Sequence, residues 1–161
     1  MDNLKDGGTY KLVNCHPVED NDFPVLALDR ADNKTILGQK WNNDLPQKWN
    51  LCKTGPKWQI RNVATKDWLR VESHRVESDP DKIELQVVQA GPQPYDWLIW
   101  PEYHENPVLR IVPPASKRNI SLDYFGKPEP GKPIELVGMS EPNEPWDEVR
   151  NQFWSFQEVE P

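Results

Sequence analysis

The chain has 161 residues with 17 Pro, 8 Trp, 8 Gly and 5 Ala, and a net charge of −7. Few Ala and many Pro exclude a helix bundle, because Pro removes a backbone donor and clashes inside a helix. Mean hydropathy is −0.84 with a pI near 5.0, yet Leu, Ile, Val and Phe number 37 of 161, just above the roughly 20% below which chains stay disordered. The Trp and Tyr residues add large buriable surfaces to that thin aliphatic core.

In chain order, short apolar segments recur between turn residues. They are Thr9-Tyr10-Lys11-Leu12-Val13, Val25-Leu26-Ala27-Leu28, Trp58-Gln59-Ile60-Arg61-Asn62-Val63 and Trp68-Leu69-Arg70-Val71-Glu72. Ile83-Glu84-Leu85-Gln86-Val87, Val108-Leu109-Arg110-Ile111-Val112, Ile120-Ser121-Leu122-Asp123 and Ile134-Glu135-Leu136-Val137 follow. Their length, β-branching and alternation predict strands, and no window holds a helical period beyond about two turns. The expected class is all-β.

A threefold repeat underlies these strands. Gln47-Lys48-Trp49, Tyr95-Asp96-Trp97 and Gln152-Phe153-Trp154 share the form polar or aromatic, any residue, Trp. Each is preceded by an opening strand, by a strand ending in Asp29, Glu72 or Asp123, and by a strand beginning at Ile36, Ile83 or Ile134. Four strands in each of three copies predict twelve. One copy has too little apolar face to fold alone, whereas three can close a barrel and remove exposed edges. A single domain over 1–161 is expected, with copies at approximately 7–56, 57–106 and 107–158.

This pattern resembles the β-trefoil fold, and the Gln-x-Trp marks resemble the ricin-B-type (R-type) lectin family. The opening Asp6-Gly7-Gly8-Thr9-Tyr10 and the closing Phe153-Trp154-Ser155-Phe156-Gln157-Glu158 are similar to small cytosolic trefoils of mushrooms. That group also contains protease inhibitors of the mycocypin type, so one scaffold hosts two activities. The resemblance implies a lectin without catalysis for galactose- or GalNAc-type glycans or glycoproteins, with no cofactor or metal and a cytoplasmic location. It also implies that Trp49, Trp97 and Trp154 hold the scaffold.

Sugar recognition needs a carboxylate for two hydroxyls, a ring for the apolar face and an amide. In the first copy these are Asp29, Gln39, Trp41 and Asn43, where the family places its amide and stacking ring. The family's Asn before Gln-x-Trp is Pro46 here, and Asn43 is its substitute. The alternative is that Asp29 caps a turn and Trp41 packs on a loop. A second site in the third copy would use Asp123, Trp146 and Asn151, with Val137 at the stacking position and Trp146 or Tyr124 supplying the ring. The second copy is degenerate, with Glu72 for Asp, no ring in Gln86-Val87-Val88, and Tyr95 for Gln. A single shallow site is weak, so avidity calls for a second site or a homodimer.

Other classes find little support. The longest apolar run, Val25–Leu28, is too short for a membrane span, and the opening Met1–Asp6 has no signal-like apolar region. The acidic balance lacks the basic clusters of a nucleic-acid binder. His16, His74 and His104 are scattered without zinc-like spacing, and Cys15 and Cys52 are too few for a disulfide framework. The protease-inhibitor reading rests on Pro-stiffened loops at 16–24, 90–94 and 113–119, the last presenting Lys117 and Arg118 to an acidic protease pocket. A third reading is a trefoil that has lost sugar binding and serves as a protein-interaction module.

Overall fold

The computed structural model describes residues 4–17, 21–75, 84–103, 107–122 and 133–161. Twelve strands lie among these residues. The first copy contributes β1 (Thr9–Asn14), β2 (Val25–Leu28), β3 (Ile36–Gln39) and β4 (Trp49–Thr54). The second contributes β5 (Lys57–Asn62), β6 (Trp68–Arg75), β7 (Glu84–Gly91) and β8 (Leu98–Tyr103). The third contributes β9 (Pro107–Val112), β10 (Arg118–Leu122), β11 (Ile134–Gly138) and β12 (Trp154–Glu158). One short helix, α1 (Trp146–Val149), lies before β12.

Six strands form a ring. β1 pairs with β4 and β12, β4 with β5, β8 with β9, and β9 with β12. The ring closes between β5 and β8, where the Trp58 and Trp97 backbones exchange hydrogen bonds of 2.8 and 2.7 Å. The other strands pair as three hairpins, β2–β3, β6–β7 and β10–β11. Thr35 bridges to Gln89 and Leu37 to Pro133, so the hairpins meet one another. A closed ring of six strands with three hairpins is the β-trefoil, as the repeat implied. Closure matters because an open edge exposes unpaired backbone groups.

The core is where the copies meet. Trp49, Trp97 and Trp154 are each 0% exposed and pack with Leu12, Leu26, Leu51, Ile60, Leu69, Ile111 and Ile120. Each indole N–H donates to a carbonyl of its own copy's second strand: Trp49 to Leu26 at 2.9 Å, Trp97 to Leu69 at 2.8 Å and Trp154 to Ile120 at 3.1 Å. Burying a ring of this size without a partner for its N–H would cost much of what the burial contributes. The scaffold role expected for the three Trp is therefore seen directly.

Those three bonds also fix the register between copies. Opposite Leu26, Leu69 and Ile120 stand Gly38, Ala90 and Leu136. Ile36 of the first copy thus corresponds to Val88 and Ile134, not to Ile83. The difference arises because the β6–β7 ladder has eight pairs and the β2–β3 ladder four. The extra length of the second hairpin lies toward its turn, so counting from the turn misplaces the third strand.

Candidate functional site

The equivalence of the copies locates the candidate sugar site. Three residues beyond Gly38, Ala90 and Leu136 lie Trp41, Gln93 and Met139. The first copy therefore carries an aromatic ring where its counterparts carry an amide and a thioether. The ring-less positions are Gln93 and Met139, which replaces the sequence expectation of residues 86–88 and Val137.

Trp41 is half-buried, and the Lys11 ammonium lies 4.8 Å from its ring centroid. Its loop is built by Gln47, the first residue of the Gln-x-Trp mark. The Gln47 side-chain amide donates to the Lys40 carbonyl at 2.6 Å, and its oxygen accepts the Asn42 N–H at 2.9 Å. Gln47 is 1% exposed, so this amide shapes the loop from beneath. Asn43 is exposed and has a φ of 66°, a left-handed conformation that Asn tolerates better than most residues. The Asn42 side chain accepts the Asp44 N–H at 3.0 Å, so Asn42 and Gln47 together set the path of the loop.

Asp29 and Gln39 occupy opposite ends of the same hairpin. Gln39 pairs with Val25, while the Asp29 N–H donates to Thr35 at the turn. Four residue steps separate them, about 13 Å of strand, so the two do not converge on one sugar ring. The Asp29 carboxylate accepts the Ala31 N–H at 2.9 Å, the turn-forming role named as its alternative. Arg30, its neighbour, reaches Asp44 at 3.5 Å, which ties the segment after Trp41 back toward the turn.

The second copy fills its own site. Arg70, the counterpart of Ala27, lies 2.6 Å from Glu72 and donates to the Gln93 and Pro94 carbonyls at 2.6 and 2.9 Å. Its guanidinium stands 5.7 Å from the Tyr95 ring centroid. A Cβ on Gly91, the counterpart of Gln39, would meet Arg70 Cδ at 2.9 Å. Sequence reading found the degeneracy of this copy but missed Arg70, whose signal was a long cation where the other copies hold Ala27 and Ser121.

In the third copy, Trp146 has a structural duty. Its ring lies 5.3 Å from that of Phe153 and packs against the cluster of Val108, Val149 and Phe153. The Asn151 side-chain amide donates to the Ser121 hydroxyl at 3.0 Å, and the Asn151 backbone carbonyl accepts from the Asn14 side chain at 2.9 Å. Asp123 and Tyr124 lie outside the described residues. Gln152 repeats the work of Gln47, accepting the Ser140 N–H at 3.0 Å. Beside it, Arg110 is 4% exposed and bonds Glu102 at 2.9 Å, Asn119 at 2.8 Å and the Ser140 hydroxyl at 2.9 Å. This buried cation organises the third copy's loop.

Cys15 follows β1, and Cys52 lies past the other end of the β1–β4 pairing, so they cannot bond to each other. Burial pushes the Cys15 thiol up to about 12, the opposite of nucleophile activation. Burial also lowers the His16 pKa from 6.5. Among the described residues, no group of three or more His, Cys, Asp or Glu is arranged to hold a metal, and no helix is long and apolar enough to cross a membrane. His74 has no described side chain, and His104 lies outside the described residues.

Of the proposed inhibitory loops, residues 113–118 form a closed turn. The Ser116 N–H donates to Pro113 at 3.3 Å, the Lys117 carbonyl accepts from Met139 at 3.1 Å, and Ala115 has a φ of 56°. Arg118 already pairs with Gly138 in β10–β11. In the loop at 90–94, the Gln93 and Pro94 carbonyls are held by Arg70. The loop at 16–24 is described only in part.

Together the closed ring, the three buried Trp and the Gln-built loops define a β-trefoil. A Macrolepiota procera ricin B-like lectin, solved in complex with lactose, is similar at 26% identity with a TM-score of 0.75, covering 95% of this chain and 96% of that one. The Rhizoctonia solani agglutinin is similar in fold at 19% identity and a TM-score of 0.69, over 99% of this chain and 100% of that one. A Clostridium perfringens endo-β-galactosidase shares the fold over 95% of this chain and 33% of its own, at 15% identity and a TM-score of 0.63. The fold thus also occurs as part of an enzyme. No family model and no curated sequence matches the chain.

Proposed function

We propose that this protein is a carbohydrate-binding β-trefoil without catalytic activity of its own, with its principal site at Trp41 in the first copy. The observation that carries this reading is the ring at position 41, half-buried on a loop held by Gln47. A ring presented in this way offers an apolar face to the C–H face of a sugar, while nearby amides take its hydroxyls. Gln39 and Asn43 supply those amides. Asp29, at the turn end of the hairpin, meets the next sugar of the glycan and not the one stacked on Trp41. The resemblance to a lectin solved with lactose supports a galactose- or GalNAc-type ligand, free or on a glycoprotein. The Asp123, Trp146 and Asn151 constellation is the weaker second site, since Trp146 and Asn151 already serve the packing of the third copy. Two free thiols accord with a reducing, cytoplasmic setting.

The test is a titration of the full chain with lactose and GalNAc, read by tryptophan fluorescence and by calorimetry. Binding that disappears in Trp41→Ala while the circular dichroism spectrum is kept supports the site. Binding unchanged in Trp41→Ala, or none to any glycan at millimolar concentration, overturns it.

A further inference from the structure

We propose that the first-copy site takes a sugar bearing an anionic group, a sulfate or a carboxylate, and that Lys11 supplies the counter-charge. This rests on the reading of Trp41 as the stacking ring and specifies the class of sugar that it accepts.

Lys11 lies in the middle of β1, opposite Gln157 of β12, and is half-buried with its ammonium over the Trp41 ring. On the other side, the pairs Thr9 to Asn50 and Tyr10 to Trp49 lead one step further to Lys48. Lys48 is 5% exposed, and its ammonium donates to the Glu160 carbonyl at 2.9 Å. Among the described residues, neither lysine has a carboxylate partner. Glu158 pairs with Lys5 at 3.0 Å and Asp44 with Arg30 at 3.5 Å, while Glu160 meets Lys48 through its backbone carbonyl and not its carboxylate. Lys40, exposed, precedes Trp41. In a chain of net charge −7, the Trp41 ring therefore carries a cation, Lys11, over its face.

A ring face only partly offsets an ammonium charge. Shielding from water also strengthens the attraction of Lys11 for an anion held a few ångströms away. A neutral sugar on Trp41 would leave that charge uncompensated, whereas a sulfate or carboxylate on the sugar's rim would neutralise it. The ring fixes the sugar's orientation, and the lysine selects the sugar that carries charge.

The experiment compares galactose, galactose 6-sulfate, galacturonic acid and inorganic sulfate as ligands of the full chain by calorimetry at low and high salt. One or both anionic sugars should bind about fivefold to tenfold more tightly than galactose at low salt, and the advantage should shrink as salt rises. Lys11→Gln should bring the ratio of anionic to neutral affinity to about one, and Lys11→Arg should keep it above one. The proposal is overturned by equal affinity for neutral and anionic sugars. It is also overturned by an advantage that survives Lys11→Gln, or by inorganic sulfate binding as tightly as the sulfated sugar. Trp41-dependent binding of neutral galactose with no anionic advantage removes this inference and leaves the lectin reading standing. No binding of any of these sugars removes both.

Discussion

The Asn62 side-chain amide donates to the Pro46 carbonyl at 3.0 Å, across the joint between the first and second copies. Asn14 makes the same bond to the Asn151 carbonyl at 2.9 Å, across the joint between third and first. At the joint between second and third the chain has Pro113, and Arg70 takes the Pro94 carbonyl instead. Asn62 also accepts the Ala64 N–H at 3.0 Å and is 0% exposed. Asn62→Ala leaves a buried carbonyl and a loop N–H without partners, which costs about 2–3 kcal/mol. Urea unfolding should show a lower midpoint with an unchanged slope.

Arg110 forms a fork that a lysine cannot copy, since its guanidinium serves Glu102, Asn119, Gln152 and Ser140 together. Its plane also lies 4.3 Å from the Phe153 ring centroid. Arg110→Lys keeps the charge but abandons several buried acceptors, and about 2–4 kcal/mol of stability should be lost. The melting temperature should fall while Trp41-dependent sugar binding persists at temperatures where the variant is folded.

Trp41→Ala should weaken glycan binding about tenfold or more. Because the ring lies outside the core that holds Trp49, Trp97 and Trp154, it should move the melting temperature by only a few degrees. Trp97→Ala is the contrasting control, since it empties the core and costs about 3–5 kcal/mol. Fluorescence titration beside thermal melts separates the two.

The two thiols should differ in reactivity. Burial raises Cys15 to about 12, whereas Cys52 is raised less and is the more accessible. At pH 8 a thiol reagent should label Cys52 promptly and Cys15 only after denaturation. Mass spectrometry of the labelled chain checks this, and a Cys15–Cys52 disulfide in the native protein would contradict the strand register.

His16 gives a direction for pH dependence. Burial lowers its pKa in the folded chain below 6.5, so between those values the unfolded chain binds the proton and the folded chain does not. Its contribution to stability is complete above pH 6.5 and is lost as pH falls through 6.5 toward the folded value. Thermal melts from pH 7.5 to 5 should show this slope, and His16→Asn should flatten it.

The threefold repeat was legible because it is written in residue types: Trp49, Trp97 and Trp154 recur at nearly even intervals with apolar strands before each. Hydrophobic alternation and turn residues are local properties, and they sufficed for an all-β chain of twelve strands. The candidate ring at Trp41 was also legible, as a Trp placed off that alternation.

The sequence did not carry the register of the hairpins, which depends on how many pairs each ladder makes before it turns. That number placed Asp29 and Gln39 about 13 Å apart along the strand, moved the second copy's counterpart of Trp41 to Gln93, and brought Arg70 into the second site. The duties of Trp146 and Lys11 were likewise decided by neighbours far along the chain, Phe153 and Val108 for one and Trp41 for the other. Length, composition and Trp spacing fixed a closed β-fold, because burying apolar surface has few solutions for such a chain. Which polar groups meet in it was decided by tertiary structure, because a hydrogen bond or ion pair depends on ångströms that strand periodicity leaves open.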